Sequence, residues 1–183
     1  LGVGFDDLTM VEAVEKGMEL IRSQGADYVV TPNPEIVEVC RENPEAMRVV
    51  NGASLVLPDG IGVIKGAAML GTPLKERTPG VEFAAHLVER MAEEELSLFL
   101  LGAKPGVAEK AGENILAKHP NIVLCGTQDG YFKDEEDVIL KVAAARPDLM
   151  FVYLGAPKKE KWKARWGQHS GAKLAIDLGG ELD

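Results

Sequence analysis

The chain has 183 residues, of which 46% are hydrophobic and 27% charged, enough to bury the core of a soluble globular domain. Its formal net charge of −9 argues against broad nucleic-acid binding, because that needs a basic surface to displace counterions from phosphates. Cys40 and Cys125 are isolated, which argues against a disulfide framework and favours the reducing cytoplasm. The three histidines are dispersed and form no metal-ligand motif, and no apolar run is long enough to span a membrane.

In the first half of the chain, short apolar runs alternate with amphipathic stretches. Thr9 and Glu12 match a capping box, which predicts a helix that continues to about Ser23. Pro44 should break a second helical stretch. The other predicted elements here are strands at residues 28–30 and 55–57 and helices over residues 34–50, about 60–70, and 81–94.

The second half repeats the alternation more clearly, with Asp134 as the predicted N-cap of one helix. Continuous apolar strands separated by helices of this length imply a mostly parallel sheet with helices on both faces, which is an α/β fold. The predicted strands are residues 98–101, 122–125, 149–154 and 174–176, and the predicted helices are 107–118, 134–146 and a segment from about Lys158.

Both ends of the chain look incomplete, although no linker divides its interior. Residues 1–3 read like the tail of a strand, and little follows the strand and turn that end at Gly180. The expectation is therefore one domain over residues 1–183, taken from a longer protein.

Two consecutive strand exits carry polar turns that are stiffened by proline. Asp59 follows one apolar run directly, and Thr31 and Asn33 follow the run before it. In a parallel sheet such exits meet at one edge, so they suggest a binding crevice. Pro-Asp-Gly is also an ordinary turn sequence, and on local sequence alone a plain turn is the alternative for Asp59.

Two further turns, at residues 102–106 and 155–160, each place a glycine directly between a strand and a helix. Glycine lets the backbone approach a ligand, and the helix N-terminus offers unpaired N–H groups to a phosphate. Neither turn matches the dinucleotide or Walker pattern, so NAD and ATP are not specifically indicated. The alternative is that Gly102 and Gly155 only fit a close strand-to-helix turn.

Three other features have two interpretations each. Arg77, just before a predicted helix, could neutralise a pyrophosphate or lie in solvent. The loop at residues 126–132, with Tyr131, could hold a base or sugar or could fill the core. Residues 158–166 carry five basic side chains and two tryptophans, which could face a membrane or phosphates, or could pack the tryptophans inward.

Taken together, these segments resemble the WecG/TagA/CpsF family of bacterial glycosyltransferases (glycosyltransferase family 26), and most closely its TagA branch of N-acetylmannosaminyltransferases. The matching pieces occur in family order over nearly the whole chain. They are Thr31-Pro32-Asn33, Pro58-Asp59-Gly60, Glu76-Arg77 with Gly80, Leu101-Gly102 with Lys104-Pro105-Gly106, Gly130-Tyr131-Phe132, Leu154-Gly155-Ala156-Pro157 with Glu160-Lys161-Trp162, and Gly179-Gly180.

The resemblance implies a Rossmann-like fold and an inverting, metal-independent transfer that uses no cofactor. The donor would be UDP-N-acetylmannosamine and the acceptor undecaprenyl-diphosphate-linked N-acetylglucosamine, in the synthesis of the wall teichoic acid linkage unit or a related surface polysaccharide. It also implies a location at the inner face of the cell membrane, self-association, and membrane contact through a C-terminal segment beyond Asp183. Little turnover is therefore expected of residues 1–183 alone.

The resemblance also implies roles for individual residues. Asp59 would be the general base toward the acceptor hydroxyl, and Arg77 would support the leaving diphosphate. Thr31 and Asn33 would line the donor-sugar pocket. The family usually has Gln where this chain has Lys159. The remaining substrate-binding residues would be Gly102, Tyr131, Gly155, Ala156, Pro157, Lys159, Glu160 and Asp183.

Two alternatives to a transferase stay open at this point. One is a UDP-binding module or degenerate homologue without transferase activity, which Lys159 and the shortened C-terminal end favour. The other is a different Rossmann-like enzyme with an anionic cofactor, against which the missing dinucleotide pattern counts.

Overall fold

The computed structural model describes residues 2–23, 25–59, 61–71, 74–153 and 171–178. Its centre is a six-stranded sheet in which all paired strands are parallel. The order across the sheet is β2-β1-β6-β5-β3-β4. This confirms the predicted Rossmann-like α/β fold. The strands are β1 Asp27–Val30, β2 Leu55–Val56, β3 Ser97–Gly102, β4 Val123–Gln128, β5 Leu149–Tyr153 and β6 Leu174–Asp177.

Two helices begin at the caps that the sequence predicts, Thr9 and Asp134. Thr9 Oγ1 accepts a hydrogen bond from the Glu12 amide (3.2 Å), and the Glu12 carboxylate accepts one from the Thr9 amide (3.0 Å). Pro44 does separate two helices. The described helices are α1 Met10–Arg22, α2 Pro34–Glu42, α3 Pro44–Asn51, α4 Ile61–Met69, α5 Gly80–Glu93, α6 Val107–Lys118 and α7 Glu135–Ala145.

The two faces of the sheet bury separate hydrophobic clusters, because side chains alternate along each strand. On one face Leu98 and Leu100 of β3 pack with α1, α5 and α6. On the other face Phe99 and Leu101 pack with α2, α3 and α7. The sheet is therefore covered on both sides, and its strand ends are what remains for a site.

Two local expectations were wrong. The strand predicted for residues 122–125, ahead of Gly126, continues to Gln128, because pairing with β3 outweighs the polar character of its last residues. Gly2 and Val3 form no strand. Instead, Asp6 closes the edge of β2: its amide donates to the Val56 carbonyl (2.8 Å), and its carboxylate accepts from the Val56 amide (2.7 Å). The helix predicted from about Lys158 lies outside the described residues.

Asp148 ties the start of β5 to the start of β3 and is predicted to make stability depend on pH. Burial alone would raise the pKa of its carboxyl, but hydrogen bonds from Lys173 and Ser97 and the charge of Lys173 bring the pKa below its ordinary 3.8. The carboxylate therefore stabilises the fold above that ordinary pKa, and this contribution is lost as the pH falls through the lowered pKa. In denaturant unfolding, the stability difference between wild type and Asp148→Asn should shrink on acidification; a constant difference would contradict this.

Candidate active site

The carboxyl ends of all six strands meet at one edge of the sheet, because the strands are parallel. The register aligns Val30 with Val56 on one side and with Asp177 on the other, and it aligns Gly102 with Tyr153. Thr31 and Asn33 follow β1, Asp59 follows β2, and Gly102 is the last residue of β3. All four are thus brought to one edge.

The connections after β3 and β5 diverge at this edge. The chain leaving β3 reaches β4 on one side, whereas the chain leaving β5 reaches β6 on the other. In open α/β sheets such a reversal opens a crevice outside the strand ends, where ligands bind. Here the reversal lies between Gly102 and Tyr153.

Backbone hydrogen bonds fasten the Asp59 turn between two other loops. The Asp59 amide donates to the Pro32 carbonyl (3.3 Å), and the Thr78 amide donates to the Pro58 carbonyl (2.9 Å). Asp59 is half-buried, and Arg77, next to Thr78, is exposed. The loop of the predicted sugar pocket, the Asp59 turn and the Arg77 loop are therefore neighbours, although they are far apart in sequence.

Asn33 and Thr31 have structural partners as well as a place at this edge. The side-chain oxygen of Asn33 caps α2 by accepting from the Ile36 amide (2.9 Å), so its amide NH2 group is what it can offer a ligand. The Thr31 hydroxyl donates to the Asp177 carbonyl at 3.5 Å. A Cβ on Gly80 would come within 2.8 Å of the Thr31 hydroxyl, so glycine is what lets α5 start against this pocket.

Gly102 makes room for a neighbouring strand. Its φ is +124°, and a Cβ there would lie 2.1 Å from the Tyr153 carbonyl oxygen. The next amide, that of Ala103, donates to the same oxygen (2.9 Å), and the Ala103 carbonyl accepts from Gly130 (2.9 Å). The close approach of the Tyr153 backbone therefore explains why position 102 is a glycine. A ligand-binding role for Gly102 stays a prediction.

Tyr131 lies beside this turn, and its side chain is 62% exposed, so it does not fill the core. Its amide donates to the Asp129 carboxylate (2.8 Å). Phe132, by contrast, packs against the cluster on the second face. Of the two aromatic residues in the loop, Tyr131 is the more exposed and is therefore the candidate for contact with a base or sugar.

Sequence reasoning missed Asp177 as a residue of this edge. Its side chain is 4% exposed at the end of β6, a central strand, between Val30 and Val152 in the register. The sequence pattern assigns it only to the end of an apolar run. The same signal that points to Asp59 applies to Asp177, because each is a carboxylate directly after an apolar run.

Thr78 carries a buried hydroxyl that is predicted to lower stability. The residue is 0% exposed, and the hydroxyl has no hydrogen-bond partner in the part of the chain that the structure describes. Because an unsatisfied buried hydroxyl costs about 1–3 kcal/mol, Thr78→Val should raise the free energy of unfolding by about 1 kcal/mol. Denaturant unfolding checks this, with Thr78→Ser as the control that keeps the hydroxyl. A loss of stability in the valine variant would show that the hydroxyl is bonded in solution.

Several predicted site residues lie outside the described residues: Gly155, Ala156, Pro157, Lys159, Glu160 and Asp183. Among the residues that are described, no group of three or more His, Cys, Asp or Glu side chains is placed to hold a metal ion. Within those same ranges, no helix has the length and apolar character needed to cross a membrane.

The parallel sheet and its two helical layers define a Rossmann-like α/β protein, and the polar turns make its carboxyl edge the candidate ligand site. The family model of the glycosyl transferase WecG/TagA/CpsF family matches residues 1–183, and the chain belongs to this family. The resemblance inferred from the motifs is thereby confirmed.

Curated relatives agree with this assignment. An N-acetylglucosaminyldiphosphoundecaprenol N-acetyl-beta-D-mannosaminyltransferase of Bacillus spizizenii is 34% identical over 164 residues, which is 90% of this chain and 63% of that protein. Proteins of the same name from Staphylococcus aureus strains MRSA252 and NCTC 8325 are each 31% identical over 185 residues, covering 100% of this chain and 73% of theirs. The chain therefore spans 63% of the length of the Bacillus relative and 73% of the Staphylococcus relatives.

Proposed function

We propose that the protein is an inverting glycosyltransferase that moves N-acetylmannosamine from UDP-N-acetylmannosamine to undecaprenyl-diphosphate-linked N-acetylglucosamine. The product would serve wall teichoic acid linkage-unit synthesis or a related surface polysaccharide. One observation carries the proposal: backbone hydrogen bonds hold the Asp59 turn between the Thr31–Asn33 loop and the Arg77 loop at the carboxyl edge. The names of the relatives supply the substrates.

In the proposed reaction, Asp59 is the general base. The acceptor hydroxyl oxygen attacks the anomeric carbon of the donor sugar from the side opposite the UDP group, while Asp59 takes the hydroxyl proton. The bond from that carbon to the phosphate oxygen breaks, and its electron pair leaves with UDP. The result is inversion at the anomeric carbon.

Charge develops on the departing diphosphate and needs stabilisation. Arg77 can supply it, since its guanidinium is always protonated and matches two phosphate oxygens at once. The arginine is exposed, and its loop adjoins the Asp59 turn, which supports this role. We therefore propose that no metal ion is needed for departure of the leaving group.

The substrate contacts follow from the same arrangement. Asn33 can donate its amide NH2 group to the donor sugar because its oxygen is engaged in capping α2. Tyr131 and the Gly102 turn are proposed to contact the nucleotide, together with Gly155, Ala156, Pro157, Lys159, Glu160 and Asp183. A lysine at position 159 could reach a phosphate.

The acceptor lipid sets the proposed location. A protein that acts on a polyprenyl diphosphate would work at the cytoplasmic face of the membrane, as a peripheral protein that self-associates. A UDP-binding module without transferase activity is the second candidate, and Lys159 favours it.

Titration with UDP and then NAD separates these classes. Calorimetry should show saturable binding of UDP and none of NAD. Tight NAD binding without UDP binding would contradict the transferase. UDP binding without transfer by the full-length protein would favour the binding module.

A further inference from the structure

A groove of about 280 Å³ separates α5 from α6 on the first face of the sheet. Its floor is the rings of Phe151 and Tyr153, which meet edge to face with centroids 6.5 Å apart. Its walls include Val81 and Val88 of α5 and Ile115 of α6. The described lining is thus hydrocarbon along the first half of α5. Its polar residues lie in the second halves of α5 and α6 or directly after α6; they are Glu89, Asn114, Lys118 and His119.

The groove begins at the candidate active site. Three lining residues at this end adjoin residues of the candidate site. Tyr153 pairs with Gly102, and Leu178 directly follows Asp177. Val81 directly follows Gly80, which lies against Thr31. Both helices run from the carboxyl edge toward the amino edge, so the groove leads away from the crevice. From Val81 to Val88 it extends about 10 Å at the rise of an α-helix.

The end of the groove at the crevice combines two kinds of surface. Val81 is 59% exposed there, although it is a large apolar residue. Beside it, α5 begins at Gly80 without a side-chain cap, so the first amides of the helix lie where the groove meets the crevice. A ligand with an anionic group followed by a hydrocarbon chain would satisfy both surfaces.

We propose that this groove binds the isoprene units next to the diphosphate of a polyprenyl-linked acceptor. The inference rests on the proposed function, since the relatives' names specify a diphosphoundecaprenol acceptor. The floor suits a hydrocarbon because Tyr153, its one polar ring, stays neutral: burial raises the pKa of its phenol. A second copy of the chain is the competing occupant.

Chain-length dependence of binding tests the groove without requiring transfer. Farnesyl diphosphate, kept below its micellar concentration, should bind wild-type protein about tenfold or more tightly than isopentenyl diphosphate, by calorimetry. Both probes carry the same diphosphate, so only the hydrocarbon differs. Equal affinities would overturn the proposal.

A blocking variant locates the binding. Ala85 lines the groove and is exposed on α5, so Ala85→Trp should fill the groove without disturbing the core. It should abolish the preference for farnesyl diphosphate and leave UDP affinity and thermal stability unchanged. The matched control is Ala144→Trp, at an exposed position of α7 on the opposite face, which should keep the preference.

Two results would overturn the assignment of the groove. One is undiminished farnesyl preference in Ala85→Trp. The other is a changed sedimentation coefficient of Ala85→Trp with unchanged farnesyl affinity, which would assign the groove to self-association. Failure of the wild-type protein to bind UDP would instead contradict the proposed function. The two claims can be tested separately, because farnesyl diphosphate binding is measured without UDP.

Discussion

Replacing Asp59 with Asn is expected to lower the turnover of the full-length protein by about 10²-fold or more, because general-base catalysis contributes about 10²–10⁴. Asparagine has nearly the same shape and retains the backbone amide that bonds to Pro32. It cannot accept the acceptor proton at neutral pH. UDP affinity should therefore stay within about twofold of wild type.

Two measurements check this prediction: turnover with UDP-N-acetylmannosamine and a lipid-linked acceptor, and calorimetric titration with UDP. Glu35→Gln is the control, since Glu35 is an exposed carboxylate near the same edge, in the first turn of α2. It should behave like wild type. Turnover of the Asp59 variant within about tenfold of wild type would remove Asp59 from the mechanism.

Gly102→Ala is expected to cost about 4 kcal/mol or more of folding stability. Two penalties combine at this position. An alanine would have to adopt φ +124°, and its Cβ would collide with the Tyr153 backbone at 2.1 Å. Backbone in a central strand pair cannot move aside as a flexible side chain could, so the β3–β5 pairing would have to open.

The neighbouring Gly106 separates the two penalties. Its φ is +90°, but among the described residues nothing lies within 4 Å of the position that a Cβ would take. Gly106→Ala should therefore show only the conformational penalty, about 1 kcal/mol. Denaturant unfolding of both variants measures the difference; equal losses would refute the backbone collision at Gly102.

Local signals in the sequence predicted most of the helices. The capping box at Thr9 and the proline at position 44 act through neighbouring residues, so they are readable without the fold. The order of the strands is not readable in this way, because β6 lies between β1 and β5 although it comes last among the described strands. The continuation of β4 to Gln128 likewise depends on pairing with a distant strand.

The part of the candidate site that depends on strand exits could be predicted from the sequence, whereas the contacts between distant loops could not. Asp59 and Thr31 stand at polar strand exits, and parallel strands bring such exits together. The Asp59 turn and the Arg77 loop are held together by the hydrogen bond from the Thr78 amide to the Pro58 carbonyl, and no local sequence pattern predicts this contact. That the Thr78 hydroxyl lacks a partner among the described residues can be recognised only from its three-dimensional surroundings.

Product formation tests the central claim most directly. The full-length protein would be incubated with UDP-N-acetylmannosamine, and separately with other UDP-sugars, and a short-chain lipid diphosphate bearing N-acetylglucosamine. The expected result is a lipid-linked disaccharide from UDP-N-acetylmannosamine, with inversion at the anomeric carbon and release of UDP. No disaccharide from any UDP-sugar, or a product with retained configuration, would contradict the proposed function.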